Sequence, residues 1–444
     1  MSAALRSLRR PVPSPDPSVT GMVRVAVVGC AHGALDQLYA SVAYLEQEKG
    51  VKIDLLLVCG DFQAVRNEDD LACMACPAKY RTMNTFYKYY SGECIAPVTT
   101  IFIGGNHEAS NYLFELYGGG WVAPNIYFLG FAGVVNFGGL RIAGLSGIFK
   151  PAHFNCGYFE TFPLDERSMR SLYHVREYEI YRLMQISGDL DVFMSHDWPA
   201  GIAGYGDTQG LLRRKPFFRG EIASNTLGNP ETMGLLMKLR PSYWLSAHLH
   251  VKFAAVVDHD DGKMTRFLSL DKCLPHRDFM QVVDFPDKTG PLELAHDPEW
   301  LAIVKSSANL LSTSFRQPRL PPSASLLAKS ETDINEIRSS FNDDMTIKPE
   351  AFAVSVDAYK GGPLRRGSPP GLRVNPQTAA LYSRLSLEVP FSAKLTTNSM
   401  TINPEEITLD DGDSSEEQQS SIPQCTNPDE IMLDDDEEQE EDAE

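Results

Sequence analysis

The chain has 444 residues, of which 43% are apolar and 10% aromatic, so it can build a sizeable hydrophobic core and is not disordered throughout. No run of about 18 consecutive apolar residues occurs, which excludes a transmembrane helix, and we expect no membrane partner. The net charge is −19, but residues 401–444 contain 18 Asp or Glu and no Lys or Arg, so the first 400 residues carry only −1. The composition therefore leaves a nucleic-acid ligand open.

The N-terminal segment and the cysteines bear on the compartment. Residues 1–21 contain four prolines and no apolar signal-peptide core, which predicts a disordered extension. Arg6, Arg9 and Arg10 lie among serines, a composition that is also found in transit peptides. The eight cysteines lie mostly in or near apolar runs, which indicates free thiols in a reducing compartment. Cys73 and Cys76 form a single C-x-x-C pair without the second pair that is typical of a zinc finger.

Strand-like and helix-like patterns alternate over residues 22–285, which predicts a layered α/β catalytic domain. A crossover helix after the first strand is indicated by apolar residues at helical spacing: Leu35, Leu38, Val42 and Leu45. Glycine-separated runs over 126–145 predict antiparallel strands or a second sheet. A helix over 177–186 and three strands over 251–285 complete the predicted domain.

Five strand-like runs end in side chains that can bind metals or transfer protons. In chain order these side chains are Cys30 and His32, then Asp61, then Asn106 and His107, then His196, and finally His248 and His250. Ligands of open α/β sheets bind outside the carboxyl ends of the strands, so we expect these side chains to converge. The Asn106–His107 pair alone would suit a helix cap equally well, but recurrence at five strand ends favours a site.

Imidazoles, a carboxylate and an amide oxygen from separate strands predict a binuclear metal site, in which Asp61 is the expected bridge. Nitrogen-rich ligation favours Fe²⁺, Zn²⁺ or Mn²⁺ over Mg²⁺ or Ca²⁺. Two ions about 3.5–4 Å apart lower the pKa of a water towards about 7 and clamp phosphoryl oxygens, which predicts phosphoester hydrolysis by attack of the activated water on phosphorus. His107 directly follows a ligand and can donate a proton to the leaving oxygen.

Residues 148–176 combine aromatic and basic side chains with little regular period. An irregular segment of this length inside a compact domain is usually functional, and its composition suits unstacked bases and phosphates. The alternative is a loop whose aromatic side chains fill the core. The candidate substrate-binding residues are Lys150, Phe154, Tyr158, Phe159, Arg170, Tyr173 and His174.

The pattern weakens towards the C-terminus. Residues 197–230 predict a glycine-rich connection with a second basic cluster, for which a solvated face is the default interpretation: Arg213, Arg214, Lys215 and Arg219. Residues 286–400 predict a small C-terminal accessory region with a helix over 296–311 and a linker over 318–330. Residues 401–444 predict a disordered acidic tail.

The strand-end motifs resemble those of the calcineurin-like metallophosphoesterases: Cys30-x-His32, Gly60-Asp61, Gly105-Asn106-His107-Glu108, His196 and Ala247-His248-x-His250. That family normally begins with Asp-x-His and ends with Gly-His-x-His, so Cys30 and Ala247 are departures. With a cysteine at the first position, residues 22–285 resemble the RNA lariat debranching enzymes within this family. The strings that carry the closer resemblance lie at 104–111, 119–127, 195–199, 246–253 and 270–278, with looser ones at 375–378 and 427–433.

The resemblance implies a metallophosphoesterase β-sandwich flanked by helices. It also implies hydrolysis of the 2′-5′ phosphodiester at the branch point of excised intron lariats, which gives linear RNA for turnover. One metal would take His32, Asp61 and His250, and the other Asp61, Asn106, His196 and His248. Cys30 would lie beside the first metal, where its softer sulfur weakens that site or tunes it towards Zn²⁺ or Fe²⁺. His107 would be the acid.

Further expectations follow from the same resemblance. Residues 148–176 would form a lariat-recognition loop for branched RNA. Spliceosomal or intron-turnover factors are expected partners, and we expect a monomer in the nucleus that can shuttle to the cytoplasm. Two other functions fit parts of the sequence. A metallophosphatase acting on a phosphoprotein or a small nucleotide would use the same metal site, and a binding module that has lost catalysis would treat Cys30 as a broken ligand.

Overall fold

The structure is a computed structural model, and its description covers residues 22–77, 80–322 and 329–396. The extension predicted over 1–21 and the acidic tail predicted over 401–444 lie outside the described residues. Among the helices of the described ranges, none is both long and apolar enough to cross a membrane.

Thirteen strands of the described residues form two sheets. They are β1 (Met22–Val28), β2 (Leu55–Val58), β3 (Thr100–Phe102), β4 (Gly120–Ala123), β5 (Ile126–Phe128), β6 (Ala132–Phe137), β7 (Leu140–Leu145), β8 (Val192–Ser195), β9 (Tyr243–Ser246), β10 (Phe253–Asp258), β11 (Met264–Ser269), β12 (Met280–Pro286) and β13 (Ala295–His296). The first sheet has the order β12-β1-β2-β3-β5-β4, and the second has the order β10-β11-β9-β8-β7-β6-β13. Strands β1, β2, β3 and β5 run parallel, as do β7, β8, β9 and β11.

The described α-helices are mostly short. They are α1 (Leu35–Lys49), α2 (Glu68–Ala72), α3 (Phe86–Tyr90), α4 (Ser110–Glu115), α5 (Pro151–Phe154), α6 (Glu166–Leu172), α7 (Glu177–Leu183), α8 (Thr208–Arg214), α9 (Arg219–Ser224), α10 (Pro230–Leu239), α11 (Pro298–Ser307), α12 (Glu331–Ser340), α13 (Pro376–Arg384) and α14 (Ala393–Thr396). The crossover helix predicted after the first strand is α1.

The two sheets pack face to face with helices on both outer sides. The inner cluster joins Val25 and Ile101 of the first sheet to Ile142 and Met194 of the second. Helices α1 to α4 cover the outside of the first sheet, and α7, α10 and α11 cover the outside of the second. Strands buried on both faces explain the continuous apolar runs of the sequence. The predicted layered α/β sandwich is confirmed.

The structure differs from the prediction where local patterns are weak. Strand β4 is absent from the prediction, because Gly120 and a bulge between Trp121 and Ala123 interrupt its periodicity. The connection predicted over 197–230 contains α8 and α9. Helix α11 starts later than predicted because the side chain of Asp297 caps it by accepting a hydrogen bond from the N–H of Trp300.

The described residues after 286 contact both outer layers of the sandwich. Strand β13 extends the second sheet by pairing with β6, and Phe341 joins the hydrophobic cluster on that side. On the other side, the Tyr90 hydroxyl donates to the carbonyl of Val356 at 3.1 Å and accepts from the N–H of Ser355 at 2.8 Å. The region predicted to be accessory thus packs on the catalytic sandwich.

Candidate metal centre

The predicted site residues follow the carboxyl ends of neighbouring strands. Strands β1, β2 and β3 are adjacent in the first sheet, and the loops after them carry the predicted residues from Cys30 to His107. Strands β8 and β9 are adjacent in the second sheet and carry His196, His248 and His250. The two sheets present these loops at the same end of the sandwich.

A first group of ligands comprises Cys30, His32, Asp61 and His250, whose donor atoms all lie within 4.8 Å of one another. The Nε2 atoms of His32 and His250 are 3.5 Å apart. Within the described ranges, the buried Nδ1 atom of His250 has no hydrogen-bond partner. Converging imidazole nitrogens, a thiol and a carboxylate fit a transition-metal ion.

A second group surrounds His196, which is fully buried. Its Nε2 atom lies 3.3 Å from Oδ1 of Asn106 and 3.3 Å from Oδ1 of Asp61. Its Nδ1 atom lies 2.8 Å from the carbonyl oxygen of Cys59, to which it can only donate, so in the neutral ring Nε2 carries the lone pair. The ring of His248 lies 4.9 Å from the ring of His196, measured between centroids. Donor atoms of His196, Asn106 and Asp61 thus lie together, with the His248 ring beside them.

Asp61 belongs to both groups. Its Oδ1 faces His196, whereas its Oδ2 lies 3.9 Å from Nε2 of His32. The backbone N–H of His107 donates to Oδ1 at 2.8 Å and holds the carboxylate in this orientation. One carboxylate thus directs one oxygen to each set of ligands, as a bridge between two cations requires.

The electrostatics favour the ligand forms of His32, Asp61 and His250, but they favour the protonated forms of His196 and Cys30. Burial lowers the pKa of His196, but the neighbouring Asp61 outweighs it and raises that pKa. Burial lowers the pKa of His32 to about 4 and also lowers that of His250, so both imidazoles are neutral near pH 7. Burial raises the pKa of Asp61, but His196 and His107 outweigh it and hold that pKa well below its usual range. Burial, reinforced by Asp61, raises the pKa of the Cys30 thiol, so its sulfur is a poor ligand until a cation displaces the proton.

Two glycines allow the loops to approach each other closely. A Cβ atom on Gly60 would lie 2.2 Å from Nδ1 of His196. A Cβ atom on Gly105 would lie 2.2 Å from Oδ1 of Asp61 and 2.7 Å from Nε2 of His196. Any side chain at either position would displace a ligand.

Glu108 holds two loops of the site together by hydrogen bonds, a role that the sequence does not predict. Its buried carboxylate accepts from the backbone N–H groups of Phe62 at 2.7 Å, Gln63 at 2.8 Å and Gly105 at 3.1 Å. These bonds tie the loop after β2 to the loop after β3. A glutamate next to the Asn-His pair is visible in the sequence, but nothing in the pattern shows that it is buried.

Two polar residues orient His32, and the sequence analysis also missed both. Nε2 of Gln63 lies 3.1 Å from Nδ1 of His32, and Nδ2 of Asn84 donates to the His32 carbonyl at 2.7 Å. Partners of this kind fix the ring orientation of a ligating histidine. Asn84 lies far from any motif, so only the folded structure identifies it.

His107 borders the two ligand groups. Its ring is partly exposed, and its centroid lies 5.5 Å from that of His32. It therefore faces the entrance of the site.

The segment 148–176 adjoins the second ligand group, because the N–H of Phe149 donates to Oδ2 of Asp197 at 3.3 Å, next to His196. Four of its predicted substrate-binding residues are partly exposed: Lys150, Phe154, Phe159 and Arg170. The other three are buried, with 1% exposure for Tyr158, 6% for Tyr173 and 3% for His174.

For the buried three, the structure matches the alternative of side chains that fill the core. The Tyr158 ring packs against Phe114 and Phe131, and its hydroxyl donates to Glu179 at 3.0 Å. Tyr173 lies in the same cluster, and the Nδ1 atom of His174 lies 2.7 Å from that of His153. These positions do not fit base stacking, because no ring face is accessible.

Comparisons with known proteins identify the family. The calcineurin-like phosphoesterase family model matches residues 23–252, and the model of the C-terminal domain of the lariat debranching enzyme matches residues 262–390. The lariat debranching enzyme of Arabidopsis thaliana is 46% identical, over 90% of this chain and 98% of the relative. The chain belongs to the lariat debranching enzyme family. The predicted family and the predicted class, a metal-dependent phosphodiesterase, are confirmed.

Other relatives with the same family name align over less of their own length. The enzyme of Danio rerio is 53% identical over 82% of this chain and 66% of the relative, and that of Homo sapiens is 48% identical over 82% and 69%. A solved structure of a phosphatase from Mycoplasma pneumoniae is 11% identical over 57% of this chain and 73% of that chain, and its TM-score of 0.29 is too low to support an argument. The first family match ends at residue 252 and the second begins at residue 262. The predicted boundary of the catalytic domain at residue 285 stays a prediction.

Proposed function

We propose that this chain hydrolyses the 2′-5′ phosphodiester at the branch point of excised intron lariat RNA and so releases linear RNA for turnover. The carrying observation is the position of Asp61, a buried carboxylate whose two oxygens face two separate groups of candidate ligands. Family membership supports the substrate, and the ligand geometry supports the reaction. Among the residues that the structure describes, no contact favours the alternative of a phosphoprotein or small-nucleotide phosphatase.

In this proposal, His32, Asp61 and His250 hold one divalent ion. Asp61, Asn106, His196 and His248 hold the other. The nitrogen-rich donor sets fit Fe²⁺, Zn²⁺ or Mn²⁺, and such ions polarise a phosphodiester and lower the pKa of a water that attacks phosphorus. Cys30 would lie beside the first ion, where its softer sulfur weakens that site or tunes it towards Zn²⁺ or Fe²⁺.

His107 is the proposed acid. Its backbone is fixed on Asp61, whereas its ring is partly exposed beside His32, so it can reach the leaving oxygen of a bound phosphodiester. In segment 148–176, we retain the partly exposed Lys150, Phe154, Phe159 and Arg170 as proposed RNA contacts.

Location and partners follow from the substrate. Excised introns arise in the nucleus, and we propose that the chain acts there as a monomer, shuttles to the cytoplasm and meets spliceosomal or intron-turnover factors.

The test compares matched 2′-5′ branched and 3′-5′ linear RNAs, incubated with purified full-length protein supplied with Mn²⁺, Zn²⁺ or Fe²⁺. We expect cleavage of the branched RNA at the 2′-5′ bond and no cleavage of the linear RNA. His107→Ala should retain its metal and lower kcat about 10²- to 10⁴-fold. Equal cleavage of both RNAs would remove the debranching assignment.

The role of segment 148–176 in RNA binding is tested with point variants and not with a deletion. Deleting the segment would remove Tyr158 from the core and disrupt folding. Lys150→Ala and Phe159→Ala should instead weaken cleavage of branched RNA while preserving hydrolysis of a small chromogenic phosphodiester. Equal loss on both substrates would favour a phosphatase.

A further inference from the structure

A second basic surface lies beside the first ligand group. Four of its cations belong to the connection between β8 and β9: Arg213, Arg214, Lys215 and Arg219. The other three come later in the chain: Lys252, Lys272 and Arg277. The sequence interpretation of the cluster is a solvated face, and the proposed reaction does not use it.

Backbone contacts place this surface next to the metal ligands. The N–H of Cys273 donates to the carbonyl of Cys30 at 2.8 Å, which sets Lys272 beside the end of β1. Lys252 follows His250 by two residues, and its carbonyl accepts from Nη1 of Arg214 at 2.9 Å. This last bond connects the 213–219 cluster to the loop that carries His250.

The cluster also exposes an aromatic ring. Phe218 is fully buried and anchors the chain, whereas the neighbouring Phe217 is 53% exposed, with Nζ of Lys215 5.8 Å from its ring centroid. The side chain of Arg213 is 74% exposed and forms an ion pair of 3.8 Å with Asp207, whose side chain is 72% exposed. Ion pairs neutralise part of the surface, since Lys252 lies 3.6 Å from Asp278 and Arg277 lies 3.7 Å from Asp271. An exposed ring beside the exposed side chains of Arg213 and Arg219 is the composition that binds single-stranded nucleic acid by stacking and phosphate contacts.

The position of the surface matters for a branched substrate. Segment 148–176 adjoins the ligand group of His196 through the bond from Phe149 to Asp197, whereas the second basic surface adjoins the group of Cys30 and His250. The two surfaces thus border the metal centre through different ligand loops. A branch point sends three strands away from one nucleotide, so two separate surfaces can hold two different strands.

We propose that the second basic surface binds one of the RNA strands leaving the branch point, with Phe217 stacking on a base and Arg213 and Arg219 contacting phosphates. This inference rests on the proposed debranching function and adds to it a requirement for RNA length. A substrate with strands of one nucleotide reaches the metal centre but not this surface. A substrate with strands of several nucleotides reaches both.

The experiment compares a short-armed branched RNA with a long-armed one, using the metal-loaded full-length protein. The readout is the ratio of kcat/KM for the long-armed RNA to that for the short-armed RNA. Phe217→Ala should lower this ratio on the order of tenfold, because stacking on one base is lost. Arg213→Glu combined with Arg219→Glu should reduce the slope of log KM against log salt for the long-armed RNA by about 1.4, since each lost phosphate contact on a single strand contributes about 0.7.

Lys238→Glu is the matched control. It is an exposed lysine at the end of α10, on the side of the sheet where β9 begins and away from His248. This variant should leave the ratio at the wild-type value. An unchanged ratio in Phe217→Ala and in the double variant, or an equal loss on both RNAs, would overturn the proposal. Failure of the wild-type protein to cleave either branched RNA would instead overturn the debranching function itself.

Discussion

The substitution Gly105→Ala tests how tightly the site is built. The added Cβ atom would lie 2.2 Å from Oδ1 and 2.6 Å from the backbone nitrogen of Asp61, and 2.7 Å from Nε2 of His196. Ordinary contacts begin near 3.4 Å, so the Asp61 carboxylate must move by about 1 Å, and a displacement of that size at a catalytic group costs about 10²-fold in rate. We expect loss of bound metal and at least that loss of kcat/KM.

The neighbouring Gly104→Ala is the matched control. Its Cβ atom would lie 3.1 Å from Cδ1 of Leu113, a side-chain end that can move, and 3.6 Å from Cβ of Ser146. The assay measures metal content by mass spectrometry, kcat/KM on branched RNA, and the melting temperature of both variants. If Gly105→Ala kept its metal and its activity at the level of Gly104→Ala, the close approach of the loops would not matter and the reasoning would fail.

Three further predictions concern support, pH and metal. Glu108→Ala should lower the free energy of unfolding, measured in urea, by about 3 kcal/mol or more, because three backbone N–H groups lose their acceptor. Glu108→Gln keeps one oxygen acceptor, so it should lose less stability. Equal losses of stability in the two variants would contradict this role of Glu108. Burial and Arg384 lower the pKa of His296 to about 4, so the unfolded chain binds more protons than the folded chain between pH 6.5 and 4. The free energy of unfolding should therefore fall by about 2 kcal/mol from pH 7 to pH 5. An equal fall in the His296→Gln variant would refute this cause. Chelation should abolish cleavage, and Mn²⁺, Zn²⁺ or Fe²⁺ should restore it better than Mg²⁺; the reverse order would contradict the nitrogen-rich ligand sets.

The residue pattern predicts the layered α/β domain and the converging strand ends well for a physical reason, whereas the sandwich is predicted by the family resemblance. Parallel strands covered on both faces are apolar throughout, so the polar residue that follows each strand stands out. The ends at Asp61 and His196 are clear examples. Three of the five ends lie at one edge of the first sheet and two at one edge of the second. The alternation of strands and helices already implies that the ends of parallel strands share an edge.

Other features depend on contacts that no local pattern encodes. Phe159 is partly exposed and Tyr158 is buried, although both are aromatic and adjacent in the chain. Glu108 is a structural acceptor because two loops meet around it, and Asn84 orients His32 from 52 residues away. Strand β4 and helices α8 and α9 are short and are fixed by packing, so their periodicity is too weak to predict them.

Anomalous X-ray scattering from crystals grown with Mn²⁺ can show whether Asp61 bridges two metal ions. We expect two anomalous peaks, one on the side of Asp61 that faces His32 and one on the side that faces Asn106 and His196. A single peak away from Asp61, or no peak between these side chains, would contradict it.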